Sequence, residues 1–192
     1  MTDATLKMTA RLSSLFENSA SGENSSSGTG LNIGLSRIVE GQEPVVLSEL
    51  LVLLQNIAGG QHDIIHVCRD DQRLSTLKDG LAFFAPHVKV LSFSAWDCVP
   101  YDRSGPRAEI IAERIATLAQ LEKGKRRGPR LILTTPRALL QRVPPRSFIR
   151  SNIKILTPGK RIDRARLLAR LSSMGYLRSE MVIDKGEFAV RG

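Results

Sequence analysis

Three short apolar runs, separated by two helical patterns, constrain the fold of this chain more than any other sequence feature. The runs are Asp63–Cys68, Val88–Phe93 and Leu131–Thr135. The first is rich in β-branched residues, as in strands that are covered on both faces. Strand, helix, strand, helix, strand at this spacing favours right-handed βαβ units, which build a parallel sheet with helices on its faces. We therefore predict an α/β fold.

Residues that favour helix ends flank the helical patterns. A predicted helix over Val45–Ala58 ends at Gly59-Gly60, and its apolar residues lie on most sides, so we expect burial on several faces. Asp70 or Asp71 is a favoured N-cap for the next helix, which Pro86 ends.

A third helix is predicted after a polar and aromatic loop over Ser94–Gly105. Pro106 suits the first turn of a helix, because the N–H that it lacks has no helical partner there. Ile111, Ile115 and Leu118 recur on one face. This spacing predicts that the three residues form the packed face.

The loop before that helix carries several polar and aromatic side chains. It follows the end of a predicted parallel strand, where α/β folds bind ligands. We interpret its large aromatic residues as anchors on the core and its last two charged residues as a surface pair. The residues concerned are Trp96, Asp97, Tyr101, Asp102 and Arg103.

The pattern changes after Pro144-Pro145. Ile153–Leu156 is predicted to be a strand, and Asp163 to cap a short helix with its leucines turned inward. Tyr176–Ile183 and Glu187–Arg191 alternate around Asp184-Lys-Gly186 and predict a hairpin. These elements indicate a small α+β domain. Because the sequence stops inside the second hairpin strand, we expect that domain to be truncated at its C-terminus.

Composition and pattern together predict three segments. Residues 1–30 contain a Ser-, Gly- and Asn-rich run that cannot bury enough apolar surface to order itself, so we expect a flexible leader. Residues 31–147 form the predicted α/β domain. Residues 148–192 form the predicted small domain.

The positive charge of the chain is confined to one segment. Residues 1–122 carry 10 Lys or Arg against 15 Asp or Glu, whereas residues 123–170 carry 15 Lys or Arg and a single acid, Asp163. Residues 171–192 carry three of each sign. An anionic partner is therefore expected at the basic segment.

Several classes of protein are disfavoured by the sequence. The longest apolar stretch, Val45–Ile57, is interrupted by polar residues and is shorter than the roughly 20 residues that span a bilayer. Cys68 and Cys98 do not make a disulfide framework, and the N-terminus has no secretory pattern. We therefore expect a cytoplasmic protein without membrane attachment.

Four stretches form an ordered set along the chain: Ala95–Arg103, Glu109–Arg114, Leu133–Pro145 and Gly186–Gly192. In this order and at about this spacing they resemble the bacterial transcription-repair coupling factor family. The resemblance covers about residues 31–192 and corresponds to the N-terminal UvrB-like region of that family.

This resemblance implies a P-loop-like α/β domain, called 1a, followed by part of a small domain 2 that binds UvrA. The implied function is recruitment of UvrA to stalled RNA polymerase in transcription-coupled nucleotide excision repair. Full-length members also bind RNA polymerase and duplex DNA and have an ATP- and Mg-dependent DNA-translocating motor. Those regions lie downstream and are absent from this sequence.

A further short strand is predicted at Leu31–Ile33, and the turn from it to the helix over Val45–Ala58 is predicted to be a degenerate nucleotide site. A P-loop requires Gly-x4-Gly-Lys-Ser/Thr, because backbone amides cradle the phosphates while the lysine neutralises them. Here six residues separate Gly34 from Gly41, and Gln42-Glu43 follows. We therefore expect no bound nucleotide, and no other cofactor, in this part of the chain.

Other catalytic or metal-binding patterns are not evident. His62, His66 and His87 lie at no zinc-site spacing from the cysteines, and His66 is expected to be a hydrogen-bonded core residue. No Gly-x-Ser-x-Gly signature occurs. We predict no catalytic residues in this chain.

The resemblance places partner-binding arginines at Arg178 and Arg191. In UvrB-like proteins, arginines of this hairpin contact UvrA, and a third arginine of the pattern falls on Ala189 here. Guanidinium groups bind carboxylates in a bidentate manner and often dominate interfaces. The alternative is that both are solvated charges on an edge strand.

The basic segment has two interpretations. It either binds DNA phosphates directly, making the chain a basic DNA-binding domain without enzymatic activity, or it steers an acidic protein partner towards the UvrA site. Only Phe148 is aromatic within it, which disfavours a stacking platform for single strands. The candidate patch residues are Lys125, Arg126, Arg127, Arg130, Arg164, Arg166 and Arg170.

Overall fold

A computed structural model describes residues 38–39, 41–57, 63–99, 103, 105–122 and 128–191, and the side chains of 54–57 are not part of the description. The predicted leader, the predicted strand at Leu31–Ile33, Gly34, Tyr101 and Asp102 fall outside these residues. So do His62 and three members of the predicted basic patch, Lys125, Arg126 and Arg127.

Helices and strands alternate over the first part of the described chain. The elements are α1 (Glu43–Ile57), β1 (Asp63–Val67), α2 (Asp71–Phe84), β2 (Lys89–Phe93), α3 (Ala108–Glu122) and β3 (Arg130–Thr134). The three strands form a small parallel sheet in the order β1-β3-β2. The predicted α/β fold is confirmed.

Shorter elements follow: α4 (Pro136–Leu139), α5 (Arg146–Asn152), α6 (Arg164–Ser173), β4 (Leu177–Arg178) and β5 (Glu187–Phe188). Contacts divide the chain into one unit of residues 1–91 and 125–133 and a second unit of residues 92–124 and 134–192. The predicted boundary between residues 147 and 148 remains a prediction.

Burial in the sheet follows strand position. Every residue of the central strand β3 is buried, whereas on the edge strand β1 the side chains of Ile65 and Val67 are 62% and 46% exposed. The prediction that the Asp63–Cys68 run is covered on both faces is therefore wrong. The β-branched composition is the same for a central strand and for an edge strand with one open face, so it could not distinguish them.

The core of the first unit is built mainly from leucines of α1, α2 and β3. Leu74, Leu77 and Leu81 recur at the spacing of one face of α2 and are buried. Asp70 caps this helix as predicted, accepting a hydrogen bond from the Arg73 N–H at 2.8 Å. Gly80 allows α1 and α2 to approach, because a Cβ there would lie 2.8 Å from Cγ of Pro44.

The packed face of α3 differs from the predicted one. Arg114 and Thr117 are its buried residues, whereas Ile115 is 50% exposed. Thr117 Oγ1 donates a hydrogen bond to the Ser92 carbonyl at 2.6 Å, and Arg114 also has partners in the second unit, described below. Of the predicted face, Ile111 and Leu118 are half-buried, and only Ile115 was placed wrongly, because the fully buried positions of this helix are polar.

Two predictions for the C-terminal elements are wrong. Residues 153–156 are not a strand, and the preceding helix α5 was not predicted. β4 and β5 pair in parallel, with Leu177 opposite Glu187 and Arg178 opposite Phe188, rather than as a hairpin. Asp163 caps α6 through the Arg166 N–H at 3.0 Å, as predicted. No residue of α6 is buried, however, and its leucines are only half-buried, so the prediction that they turn inward is borne out only in part.

The chain does turn around Asp184–Gly186, but a side chain closes that turn. The Glu187 carboxylate accepts hydrogen bonds from the N–H groups of Ile183 and Asp184 at 2.9 and 3.1 Å. These bonds satisfy two backbone donors of the turn. The residues after the turn lie alongside β4 in the same direction.

A buried ion pair links β1 to β3 in the first unit. Arg130 Nη2 lies 2.7 Å from Asp63 Oδ2 and Arg130 Nε lies 3.1 Å from Asp63 Oδ1, with side-chain exposures of 6% and 18%. The pairing is bidentate, and it offsets the cost of burying the guanidinium. Arg130 therefore does not belong to a surface basic patch, which corrects that part of the prediction.

Asp63→Ala is expected to destabilise the chain by about 3 kcal/mol, because it removes the bidentate carboxylate from a buried guanidinium. The free energy of unfolding in urea measures this loss. Arg69→Ala is the matched control, since its pair with Asp70 is exposed and such pairs contribute about 1 kcal/mol or less. An equal loss of stability in the two variants would contradict a stabilising role of the buried Asp63–Arg130 ion pair.

Candidate functional site

The two arginines predicted to bind a partner both lie at the surface of the second unit. Arg178 is the second residue of β4, and Arg191 follows β5 by three positions. Both are exposed, while Phe188, opposite Arg178 in the register, is buried and anchors this part of the chain. The side chains of Arg178 and Arg191 are thus accessible to another molecule.

Large apolar side chains surround Arg178 along the chain and are also exposed. Leu177 is 69% exposed, Met181 61% and Ile183 76%. Val182 between them is exposed as well. Scattered exposed apolar residues need no explanation, but a run of this kind beside an arginine has the composition of a protein interface. Sequence reasoning identified the arginines and missed this apolar run, which the hairpin interpretation had assigned to alternating faces.

The turn that carries these apolar residues is held by Glu187. Hydrogen bonds from the Ile183 and Asp184 backbone lower the pKa of the Glu187 carboxyl below its ordinary value. The ionised form is therefore the one that closes the turn. This turn keeps Met181, Val182 and Ile183 in a defined segment next to β4.

Arg164, a member of the predicted basic patch, supports the segment that contains Arg191. Its Nη2 donates a hydrogen bond to the Arg191 carbonyl at 2.9 Å. Arg164 lies in the first turn of α6, so this bond ties the last described residue to a helix. One N–H donor of Arg164 is therefore used within the chain rather than for a partner.

The remaining described members of the predicted patch, Arg166 and Arg170, line an open cavity of about 460 Å³ in the second unit. We call it the basic groove. Its lining comprises Lys154, Ile155, Leu156, Thr157, Lys160, Arg161, Ile162, Asp163, Arg166, Leu167 and Arg170. The predicted patch is thus partly realised: Arg130 is buried elsewhere, and the groove gains Lys154, Lys160 and Arg161.

The loop after β2 is organised by the buried guanidinium of Arg114. This group stacks on the rings of Phe93 and Trp96, 4.0 and 4.2 Å from their centroids. It donates hydrogen bonds to the Ser94 carbonyl at 2.5 Å and to Gln141 Oε1 at 3.1 Å. Gln141 Oε1 also accepts from the Trp96 N–H at 3.0 Å. Burial lowers the pKa of Arg114.

Trp96 therefore packs within the second unit, as predicted, but its partner is an arginine rather than an apolar core. Asp97 accepts hydrogen bonds from the Arg107 N–H at 3.1 Å and from Arg107 Nε at 2.5 Å. These bonds lower the pKa of Asp97 and fix the start of α3. The described part of this loop is a structural anchor, and sequence reasoning missed both Arg114 and Gln141.

A separate cavity of about 390 Å³ lies in the first unit, next to the end of β1, where α/β folds bind ligands. Glu43, at the start of α1, forms an ion pair with Arg73 at 2.9 Å. His66 is half-buried at this cavity, and burial lowers its pKa. The Glu43 carboxylate thus lies at this cavity, next to the end of the strand where an anionic ligand would be expected.

Within the described part of the chain, no group of three or more His, Cys, Asp or Glu side chains is placed to hold a metal ion. No helix among these residues is long and apolar enough to cross a bilayer.

Comparison with known proteins identifies the C-terminal segment first. The family model "UvrB interaction domain" matches residues 155–192, the segment that contains most of the basic groove, Arg178 and Arg191. This segment is therefore similar to the UvrB interaction domain.

Most of the chain aligns with transcription-repair-coupling factors. That of Escherichia coli (strain K12) is 32% identical over 129 residues, which is 67% of this chain and 11% of that protein. That of Myxococcus xanthus is 35% identical over 137 residues, or 67% of this chain and 11% of that protein. That of Haemophilus influenzae (strain ATCC 51907 / DSM 11121 / KW20 / Rd) is 28% identical over 158 residues, or 82% of this chain and 13% of that protein.

The chain belongs to the transcription-repair coupling factor family, of which it represents the UvrB-like region, and the predicted resemblance is confirmed. It spans about one tenth of the length of these relatives.

Arg114→Met is expected to destabilise the chain by about 2 kcal/mol, because it removes charge-assisted hydrogen bonds and the cation between two rings. Trp96 is the one tryptophan of the sequence, so its fluorescence reports on this loop. We expect a red shift of the emission as the indole loses its cover. Ile115→Met on the exposed side of the same helix should leave the spectrum unchanged.

Cys68 is expected to be unreactive in the folded chain. Burial raises the pKa of its thiol to about 11, so the thiolate fraction near neutral pH is very small. In a Cys98→Ser variant, labelling by a disulfide reagent should be slow at about pH 8 and accelerate on unfolding in guanidinium chloride. Rapid labelling of the folded variant would contradict this assignment.

Proposed function

We propose that this chain is a protein-interaction module of transcription-coupled nucleotide excision repair, and that its C-terminal segment binds UvrA. One observation carries the proposal. Arg178 lies among exposed apolar residues, including Leu177 and Ile183, inside the segment that matches the UvrB interaction domain.

The chemistry of this surface supports a protein partner. Interfaces combine apolar contacts at their centre with arginines that bind carboxylates through two parallel hydrogen bonds. Leu177, Met181 and Ile183 supply apolar area, and Arg178 and Arg191 supply exposed guanidinium groups. The alternative interpretation, two solvated charges on an edge strand, gives no reason for the exposed apolar run.

The role in the whole protein is a wider proposal, because the chain spans only about one tenth of its relatives. By analogy with the family, UvrA bound here would be brought to RNA polymerase stalled on duplex DNA, through regions outside this chain. This places the proposed function in the cytoplasm, where transcription and repair occur in bacteria.

We further propose that the α/β domain serves this role without nucleotide. Glu43 lies next to the strand end where phosphates would be bound and forms an ion pair with Arg73. Arg69 and Arg73 also line this cavity, but both pair with carboxylates, Arg69 with Asp70 and Arg73 with Glu43, which reduces the charge available to a phosphate. Calorimetric titration of ATP and magnesium into the chain tests this, and micromolar affinity would overturn it.

A basic DNA-binding domain remains the second candidate function, supported by the charge of residues 123–170. Several of these cations have intramolecular partners: Arg130 pairs with Asp63, and Arg150 Nε donates to Glu122 at 2.7 Å. Those contacts reduce the charge available to phosphates. Duplex DNA affinity that persists at physiological salt would favour this function.

Arg178→Ala and Arg191→Ala are each expected to weaken UvrA binding by about 2 kcal/mol, as for interface arginines that dominate binding. Isothermal titration of purified UvrA into the chain measures the change. Arg69→Ala, an exposed arginine of the first unit, is the control and should bind as the wild type does. Unchanged affinity in both test variants would remove this site.

A further inference from the structure

The basic groove is a second feature of the interaction segment, with different chemistry from the surface around Arg178. Five cationic side chains line it: Lys154, Lys160, Arg161, Arg166 and Arg170. One acid, Asp163, also lines it, but its Oδ1 accepts the Arg166 N–H and caps α6. The groove therefore carries a concentrated positive charge that the residues lining it do not balance.

Apolar side chains lie between these cations. Ile155 is 63% exposed, Leu156 53% and Ile162 45%, and Leu167 also contributes to the lining. Leaving three large apolar groups in water inside a concave surface is unfavourable unless another molecule covers them. A ligand of this groove should therefore bring apolar groups as well as negative charge.

The guanidinium of Arg170 is held in place at the groove wall. Its Nη2 donates to the Ser151 carbonyl at 2.6 Å, while its Nε is buried and has no acceptor among the described residues. Buried donors in native proteins are nearly always paired. The Nε is therefore a donor that an added carboxylate could satisfy after a small side-chain movement.

We propose that the basic groove binds an acidic peptide segment with interspersed apolar residues, supplied by the same partner that binds at Arg178. This inference rests on the proposed function and deepens it, because it assigns a second contact region with its own ligand chemistry. The match to the UvrB interaction domain begins at residue 155, so the groove and Arg178 share one interaction segment.

A nucleic acid fits the groove less well. A phosphate backbone would neutralise the cations but would offer nothing to Ile155, Leu156 and Ile162. No aromatic side chain of the described chain lines the groove, so unstacked bases would find no stacking surface among these residues. A peptide with acidic and apolar residues can pair with the cations and also cover the apolar side chains of the groove.

The test uses the full chain and a double charge reversal, Lys160→Glu with Arg161→Glu, at two exposed groove positions. Lys89→Glu with Arg103→Glu is the control, because it changes the net charge equally at exposed positions outside the groove. Circular dichroism and urea unfolding verify that both variants fold. The probes are fluorescein-labelled peptides that alternate Glu with Leu or Ser with Leu, an all-Glu peptide, duplex DNA and purified UvrA.

We expect the wild type to bind the Glu-Leu peptide more tightly than the other two peptides and the DNA. The groove variant should lose about tenfold in affinity for this peptide and for UvrA, while the control should change by less than about twofold. Equal binding by the groove variant and the wild type would overturn the inference. So would a wild-type preference for duplex DNA that the groove variant abolishes.

The experiment also separates this inference from the proposed function. If Arg178→Ala weakens UvrA binding and the groove variant does not, the UvrA site stands and the groove assignment fails. If the wild type binds no UvrA, the proposed function fails, and with it the assignment of the partner to this groove.

Discussion

The packing of the second unit depends on the guanidinium of Arg114, which is buried at a position where a hydrophobic residue would be expected. Burying a charge is costly unless hydrogen bonds and neighbouring dipoles replace its water. Arg114 meets this requirement with the Ser94 carbonyl, Gln141 Oε1 and the faces of Phe93 and Trp96. Gln141 Oε1 also accepts a hydrogen bond from the Trp96 N–H. The Arg114 side chain therefore holds α3, the end of β2 and the segment after α4 together.

The sequence predicted the α/β alternation well, because the long elements have strong local signals. Helix α2 has an Asp N-cap and leucines on one face, and the three strands are short apolar runs between polar residues. The prediction failed where tertiary contacts override periodicity. The buried residues of α3 are Arg114 and Thr117, and β4 and β5 pair in parallel beside a turn whose N–H groups bind Glu187. Neither interaction is visible in a pattern of apolar residues.

Part of the candidate site was predicted, and that part came from the family resemblance rather than from the physical chemistry of the residues. Arg178 and Arg191 followed from the family pattern and lie exposed, which is necessary for their proposed role. The apolar surroundings of Arg178 could not be foreseen, because alternating strands would bury every second residue. An irregular, exposed segment after a two-residue strand leaves Met181, Val182 and Ile183 in water together. An interface is the simplest physical reason for such a segment.

The number of cationic residues in a segment also overestimates how many cations can bind a partner. Residues 123–170 carry 15 cations, yet Arg130 is buried against Asp63, Arg150 pairs with Glu122, and Arg164 holds the Arg191 carbonyl. A basic segment divides into cations that stabilise the fold and cations that remain for a partner, and only the structure separates them. Those that line the basic groove lie beside exposed apolar groups rather than on a uniform positive face. That arrangement favours selective recognition of a peptide, because a purely electrostatic surface would bind any polyanion.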